Sequence, residues 1–116
     1  MAYRRGIIAV VAIAGGCWAA GCFAPDKPDI NSPNANLKIP AIEQAVQAGD
    51  QKVVPTLVAS LDSDDAAVRF YAIDGLRKLT GQSFGYRYYD DESQRKPAIK
   101  SWQHWLTEQQ KAGHFK

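Results

Sequence analysis

The chain has 116 residues, of which 14 are basic and 12 acidic. Arg4 and Arg5 lie within the first 21 residues, and the remaining 95 residues balance 12 basic against 12 acidic side chains. This balance excludes the basic surface by which proteins bind nucleic acid or anionic lipid. Ninety-five residues are enough for one small domain with a modest core.

The N-terminus has the parts of an export signal. Arg4 and Arg5 form a positive start, Ile7 to Ala14 is apolar, and small residues follow. This order is typical of a signal peptide. The alternative is a retained membrane anchor, because the stretch 6–24 is close to the roughly 20 apolar residues that a span needs. The second half of this stretch is rich in glycine and alanine. This composition favours a helical signal peptide, spanning residues 1–21, rather than a membrane anchor.

Cys22 follows Ala19-Ala20-Gly21 directly after this segment. The run resembles the lipobox of bacterial lipoproteins, although Ala19 stands where Leu is usual. The resemblance implies cleavage before Cys22 and lipidation of its thiol, with palmitate among the acyl chains. Cys17, after Ala14-Gly15-Gly16, is a rival site with a shorter apolar run before it. Phe23 is not the Asp that retains some lipoproteins at the inner membrane, so the outer membrane is the preferred location.

Residues 22–36 are predicted to form the lipidated cysteine and a flexible tether. The segment is rich in Pro, Asp and Asn and has few apolar side chains, so it cannot bury enough surface to fold by itself. Its prolines favour an extended chain of about 3 Å per residue. We therefore expect a disordered linker between the lipid and the domain, which would span residues 37–116.

The domain shows the 3.6-residue period of helices and no useful strand alternation. A first helix begins near Asn36 with Pro40 in its first turn, and Gly49 ends it. The second helix has Pro55 near its start, and Gly81 ends the third. Ser63 is the expected cap of the third helix, with Asp64 and Asp65 in its first turn. The expected buried residues are Ile39, Ile42, Val46, Val54, Leu57, Val58, Leu61, Val68, Ala72, Leu76 and Leu79.

The stretch from Val53 to Leu76 resembles a HEAT repeat. It has Pro55-Thr56-Leu57 at the start of one helix, an acidic turn, and then Val68-Arg69 followed by Ala72 and Leu76. The resemblance implies an antiparallel helix pair with a role in protein binding. A solenoid needs about three or more such units, and the chain has one. We therefore expect an all-α, compact four-helix domain in which the outer helices cap the pair.

The last third of the chain carries a second resemblance. Leu79-Thr80-Gly81, then Phe84-Gly85-Tyr86, and finally a helix with Trp102 and Trp105 are similar to the end of HEAT-like proteins of planctomycete-type bacteria. The spacing of the two tryptophans is helical, so they read mainly as core, with an aromatic binding platform as the alternative. Phe84 and Tyr86 are expected to pack at the base of the last helix.

Tyr88, Tyr89 and Trp105 are the candidates for a partner surface, because the tyrosines lie in a glycine-bearing loop beside Asp90, Asp91 and Glu92. These three carboxylates lack the alternate spacing of a calcium loop and read as a solvated start to the last helix. Arg69 is expected to pair with Asp65.

Catalytic, cofactor and metal sites are not expected. His104 and His114 have no second ligand at metal-binding spacing, and the sequence lacks nucleophile and phosphate-binding motifs. The prediction is a lipid-anchored, exported protein-interaction module or scaffold of the cell envelope, without enzymatic activity. The alternatives are a self-associating structural subunit and a HEAT-like lyase, and the lyase would need a polar cluster of Tyr86, Asp90 and His104.

Overall fold

The computed structural model describes residues 26–115, and these residues form four helices and no β-strand. The predicted all-α class is confirmed for this part of the chain. The predicted signal peptide and the lipidation site Cys22, with its rival Cys17, lie outside the described residues. The helices are α1 (Ala35–Gln47), α2 (Val54–Ser60), α3 (Ala66–Thr80) and α4 (Glu92–Lys111), and a 3₁₀ turn (Gln51–Val53) leads into α2.

The segment before α1 is bound to that helix. The amide of Asp29 donates to the carbonyl of Leu37 over 2.9 Å, and the Nζ of Lys38 donates to the carbonyl of Ile30 over 2.6 Å. Ser32 is buried, and Ile30 packs against the core. The distal half of the segment that we expected to be a flexible tether therefore has a defined place on the domain.

Helix α1 begins at Ala35, one residue from the predicted start near Asn36. Asn34 caps it by accepting from the amide of Asn36 over 2.9 Å. The predicted place of Pro40 in the first turn is wrong: it is the sixth residue of the helix and lies in the second turn, where it cannot donate the hydrogen bond that an interior residue gives to the carbonyl four positions earlier. The helix still buries Ile42, with 1% of its surface exposed, which anchors α1 in the core.

Helix α2 follows the sequence-based expectation closely. The side chain of Asp50 accepts from the amide of Lys52 and so caps the 3₁₀ turn, and Pro55 lies in the first turn of α2, where its missing amide is harmless. All four residues predicted for its apolar face are buried: Val54, Leu57, Val58 and Leu61.

Helix α3 is capped by a different residue from the one predicted. The carboxylate of Asp65 accepts from the amides of Ala67 and Val68 over 2.8 and 3.2 Å. Ser63 instead accepts from the amide of Asp65, so the prediction that it caps α3 is wrong. At the other end Gly81 takes a left-handed conformation with φ of 76°, which confirms it as the end of α3.

Helix α3 is the centre of the packing. It packs against both α1 and α2, while the main partner of α4 is α2. Gly75 permits the approach of α1, because a Cβ at this position would lie 2.7 Å from Cγ2 of Val46. At the far side of the core, Trp102 of α4 is fully buried, which confirms its interpretation as a core residue.

Candidate partner surface

The loop between α3 and α4, residues 81–91, has no regular secondary structure but is bonded at several points. Arg69 of α3 donates from Nε to the carbonyl of Tyr88 over 3.0 Å. Arg95 and Trp102 of α4 donate to the carbonyls of Asp90 and Ser83 over 2.7 and 3.0 Å. These donors come from two helices, so the path of the loop is fixed by the helical frame.

Arg69 does not pair with Asp65, as we expected from their spacing. Asp65 accepts from backbone amides at the start of α3, while the Nη1 of Arg69 donates to the carbonyl of Ser63 over 2.8 Å. The guanidinium thus joins the α2–α3 connection to the loop. Only 9% of Arg69 is exposed, so these carbonyls replace the water that the cation would otherwise bind.

Tyr86 joins the loop to the end of α2. Its ring is 4% exposed, and its hydroxyl donates to the carbonyl of Leu61 over 2.6 Å. Burial raises the pKa of the Tyr86 phenol, because the charged phenolate would lose its hydration, and the nearby positive charges of Arg95 and Arg69 partly oppose this rise. The neutral phenol is therefore the form that the fold holds.

A tight turn places Phe84 over α4. The amide of Tyr86 donates to the carbonyl of Ser83 over 3.0 Å, and the two central residues, Phe84 and Gly85, both have positive φ, of 53° and 71°. Glycine adopts this conformation freely, whereas for a bulky residue it is strained. The Phe84 ring meets the Trp102 ring edge-on, with 4.9 Å between the centroids. Phe84 is partly exposed, while Tyr86 is the residue that fills the core.

Two of the predicted partner residues belong to one exposed surface. Tyr88 packs edge-on against Phe70 of α3 and against Tyr89, with centroids 5.1 and 5.2 Å apart. Tyr89 is 67% exposed and Phe70 39%, and the guanidinium of Arg87 lies 5.7 Å from the Tyr89 centroid. We call these four residues, Phe70, Arg87, Tyr88 and Tyr89, the tyrosine patch. They line a cleft of about 190 Å³ that also includes Arg77.

Trp105 belongs to a different surface. It packs against Trp102, Phe84 and Phe115, and it borders an open, mainly apolar depression together with His104 and Lys100. We call Phe84 and Trp105 the tryptophan edge. The three residues predicted as one candidate surface therefore divide between two surfaces with different neighbours.

Phe70 is the functional candidate that sequence reasoning missed. The buried side of α3 carries Val68, Ala72 and Leu76, and Phe70 falls outside that set. A single exposed aromatic side chain is ordinary on a protein surface, and Phe70 becomes a candidate only because it forms a contiguous patch with Tyr88 and Tyr89. Its pairing with Tyr88 has no sequence signal, because it depends on the course of the loop.

The acidic run has structural partners. Asp90 pairs with the Nε of Arg87 over 3.0 Å. Asp91 caps α4, where hydrogen bonds from the hydroxyl of Ser93 and the amide of Gln94 lower the pKa of its carboxyl. Glu92 lies 3.5 Å from the Nζ of Lys96. Within residues 26–115 there is no group of three or more metal-ligating side chains.

The polar cluster that a lyase would need is not formed in the described part of the chain. The hydroxyl of Tyr86 is bonded to Leu61, Asp90 is paired with Arg87, and His104 borders the depression beside Trp105. No hydrogen bond joins Tyr86, Asp90 and His104 to one another within residues 26–115.

None of the helices between residues 26 and 115 is long and apolar enough to cross a membrane. Comparison of the chain with models of protein families, with curated proteins and with solved structures gave no match.

Proposed function

We propose that the protein is an exported lipoprotein, anchored through Cys22, whose helical domain binds another protein at a membrane surface. The run Ala19-Ala20-Gly21-Cys22 after a basic and apolar start supports the anchor. The tyrosine patch supports the binding role. In this proposal the domain is a scaffold or interaction module that binds a partner and catalyses no reaction.

In this proposal α2 and α3 form a HEAT-like helix pair. The two helices pack against each other and are joined by only five residues, Leu61 to Asp65. The residues that match the repeat pattern, Val68, Ala72 and Leu76, are all buried. Helices α1 and α4 cover the pair, which agrees with a single repeat closed by capping helices.

The observation that carries the binding proposal is the exposure of Tyr89 on a bonded loop. Tyrosine and arginine are enriched at protein interfaces, where a large ring with few torsions gains contact area at little entropic cost. The carbonyls of Tyr88 and Asp90, on either side of Tyr89, accept from buried arginines, so the backbone that presents its ring is already ordered. Binding then costs little further ordering.

The test is crosslinking in cells with a photoreactive residue at position 89 and, as a matched control, at the exposed position Gln103 of α4. We expect position 89 to capture one specific protein and Gln103 to capture none. Tyr89→Ala combined with Phe70→Ala should weaken affinity for that protein about 30-fold, the effect of losing roughly 2 kcal/mol at an interface centre. Equal capture at both positions would contradict the assignment.

The anchor has its own test. Radiolabelled palmitate should label the wild type and Cys17→Ala equally and should not label Cys22→Ala. Labelling of Cys22→Ala that matches the wild type would remove Cys22 from the proposal.

A self-associating envelope subunit is the second candidate, and the tryptophan edge favours it. Phe84 is 37% exposed and Trp105 is only partly buried, so apolar surface remains at one end of the domain. Sedimentation of residues 23–116 should then depend on concentration, and Trp105→Ser should abolish the dependence. A strict monomer at all concentrations rules this candidate out.

A further inference from the structure

The place where the folded part begins limits how far an anchored domain can lie from its lipid. Within residues 26–115, the backbone is first bonded to the domain at Asp29, through the amide that donates to the carbonyl of Leu37. Only six residues, Phe23 to Pro28, separate Asp29 from Cys22. Fully extended, such a connection spans at most about 25 Å, since each residue adds about 3.3–3.6 Å.

The contacts of residues 29–34 are what make the connection short. If this segment were detached, the first structured residue would be Ala35 at the start of α1. The extended reach from Cys22 to Ala35 is about 45 Å. The hydrogen bond from Lys38 to Ile30, the burial of Ser32 and the packing of Ile30 therefore remove almost half of the possible distance.

The contacts of residues 29–34 with α1 also determine which side of the domain lies next to the lipid. Residues 29–34 lie on α1 and border α2 around Pro55 and Thr56. Within the described residues, helix α4 has its main contact with α2 and no comparable contact with α1, so α4 is not a direct neighbour of the helix to which residues 29–34 are bound. Near this attachment the charges of Asp26 and Asp29 offset those of Lys27 and Lys38, so the covalent connection, not attraction to anionic lipid, sets the placement.

We infer that the anchored protein holds its domain against the membrane surface, with α1 turned toward the lipid head groups and α4 turned away. This inference rests on the proposed lipidation of Cys22. It makes the α1 side a surface for contact with lipid head groups and restricts any protein partner to molecules that reach within about two or three helix diameters of the bilayer.

The test uses the full chain, processed in a bacterial host and reconstituted in phosphatidylcholine vesicles. Co-flotation with the vesicles measures anchoring. A fluorophore on Asn36→Cys of α1 or on Gln103→Cys of α4, both at exposed positions, measures energy transfer to acceptor-labelled head groups. We expect efficient transfer from position 36 and clearly weaker transfer from position 103, without change between low and high salt.

Two variants test the length argument. An insertion of 20 Gly/Ser residues between Pro28 and Asp29 adds about 25 Å of mean reach, and transfer from position 36 should fall by at least half. Ile30→Ser with Lys38→Met should lower transfer less, because it detaches only the six residues 29–34. Circular dichroism of both variants should show that the helices persist.

The outcomes separate the two claims. A chain that fails to float overturns the lipid anchor and with it this inference. A chain that floats but gives equal transfer from both positions, or transfer that the insertion does not change, overturns the inference and leaves the anchor standing. Transfer that disappears at high salt shows electrostatic adsorption and overturns the tether as the cause.

Discussion

The α1–α3 contact and the loop 81–91 are ordered in different ways. The α1–α3 contact depends on shape: Ile42 and Val46 meet α3 where Gly75 leaves space for them. The loop depends on directed bonds from buried Arg69, Arg95 and Trp102 to its carbonyls. Aliphatic packing spreads its energy over many weak contacts, whereas each buried donor concentrates it in one or two bonds.

This difference predicts how the stability of each region responds to substitutions. An aliphatic interface tolerates exchanges that conserve volume, because neighbouring side chains repack. A buried carbonyl that loses its donor keeps the full cost of its own desolvation. Substitutions in the two regions should therefore lower the free energy of unfolding by different amounts.

Trp102→Ala should have the largest effect, because it removes a fully buried ring that also donates to the carbonyl of Ser83. We expect the free energy of unfolding to fall by about 3–5 kcal/mol, a large part of the stability of a small domain. Urea unfolding followed by circular dichroism measures this. Trp105→Ala, at a partly buried position, is the control and should cost clearly less. Equal losses would contradict the core role of Trp102.

Arg69→Met should be next, since it removes two hydrogen bonds from a charged donor and leaves the carbonyls of Tyr88 and Ser63 without it. We expect a loss of about 2–3 kcal/mol. Amide hydrogen exchange should quicken across residues 81–91 more than in α1. The matched control is Arg77→Met, an exposed arginine on the same helix, with an expected change within about 0.5 kcal/mol. Unchanged exchange in the loop would refute the bonding role of Arg69.

Gly75→Ala tests the shape-dependent side of the comparison. The new Cβ would lie 2.7 Å from Cγ2 of Val46 and 3.2 Å from Cδ1 of Leu57. Overpacking of this kind costs about 1–3 kcal/mol, and the better helix propensity of alanine offsets about 1 kcal/mol of it, so we expect a net loss of up to about 2 kcal/mol.

The control for this variant is a double-mutant cycle with Val46→Ala. Because Val46→Ala removes the clashing methyl group, Gly75→Ala should become neutral or stabilising in that background. Additive losses in the cycle would show that the approach of α1 is not limited at this contact.

Tyr86→Phe should have the smallest effect at neutral pH, about 1 kcal/mol, because it keeps the buried ring and removes only the hydrogen bond to Leu61. Its informative feature is the dependence on pH. The pKa of Tyr86 is raised in the folded state. The buried neutral phenol therefore contributes fully to the free energy of unfolding below the unfolded pKa of about 10, and this contribution is lost as pH rises through the folded pKa.

Unfolding in urea between pH 8.5 and 11 provides the measurement. The wild type should lose stability above about pH 10 more steeply than Tyr86→Phe. Tyr71→Phe, at a half-buried position, is the control for the general effect of alkaline pH and should keep the wild-type slope. Identical slopes for the wild type and Tyr86→Phe would refute the buried neutral phenol.

The sequence predicted the helices well because their signals are local. Apolar residues at helical spacing identified the buried faces of α2 and α3, and Gly81 marked the end of α3 through its tolerance of positive φ. The cap of α3 was misplaced by two residues, because Ser63, Asp64 and Asp65 are all good caps and only the backbone geometry chooses among them.

The surface was harder to predict because its contacts are distant in the chain. Arg69 reaches Tyr88 across 19 residues, and that bond brings Tyr88 to Phe70. The i,i+4 rule instead suggested Asp65 as the partner of Arg69, since local spacing says nothing about a carbonyl in a later loop. Trp105 was grouped with the tyrosines by composition, and the structure places it beside Phe84.

The acceptors that hold the loop belong to the main chain, and every residue type has a main-chain carbonyl. The side chains of Arg87 and Tyr89 point to solvent and provide none of the bonds between the loop and the helices. Their identities can therefore change while the donors Arg69, Arg95 and Trp102 preserve the path of the backbone. The backbone path of the loop therefore does not depend on the side chains at positions 87 and 89. Variants from a library randomised at these two positions should fold and should differ in the partners that they bind.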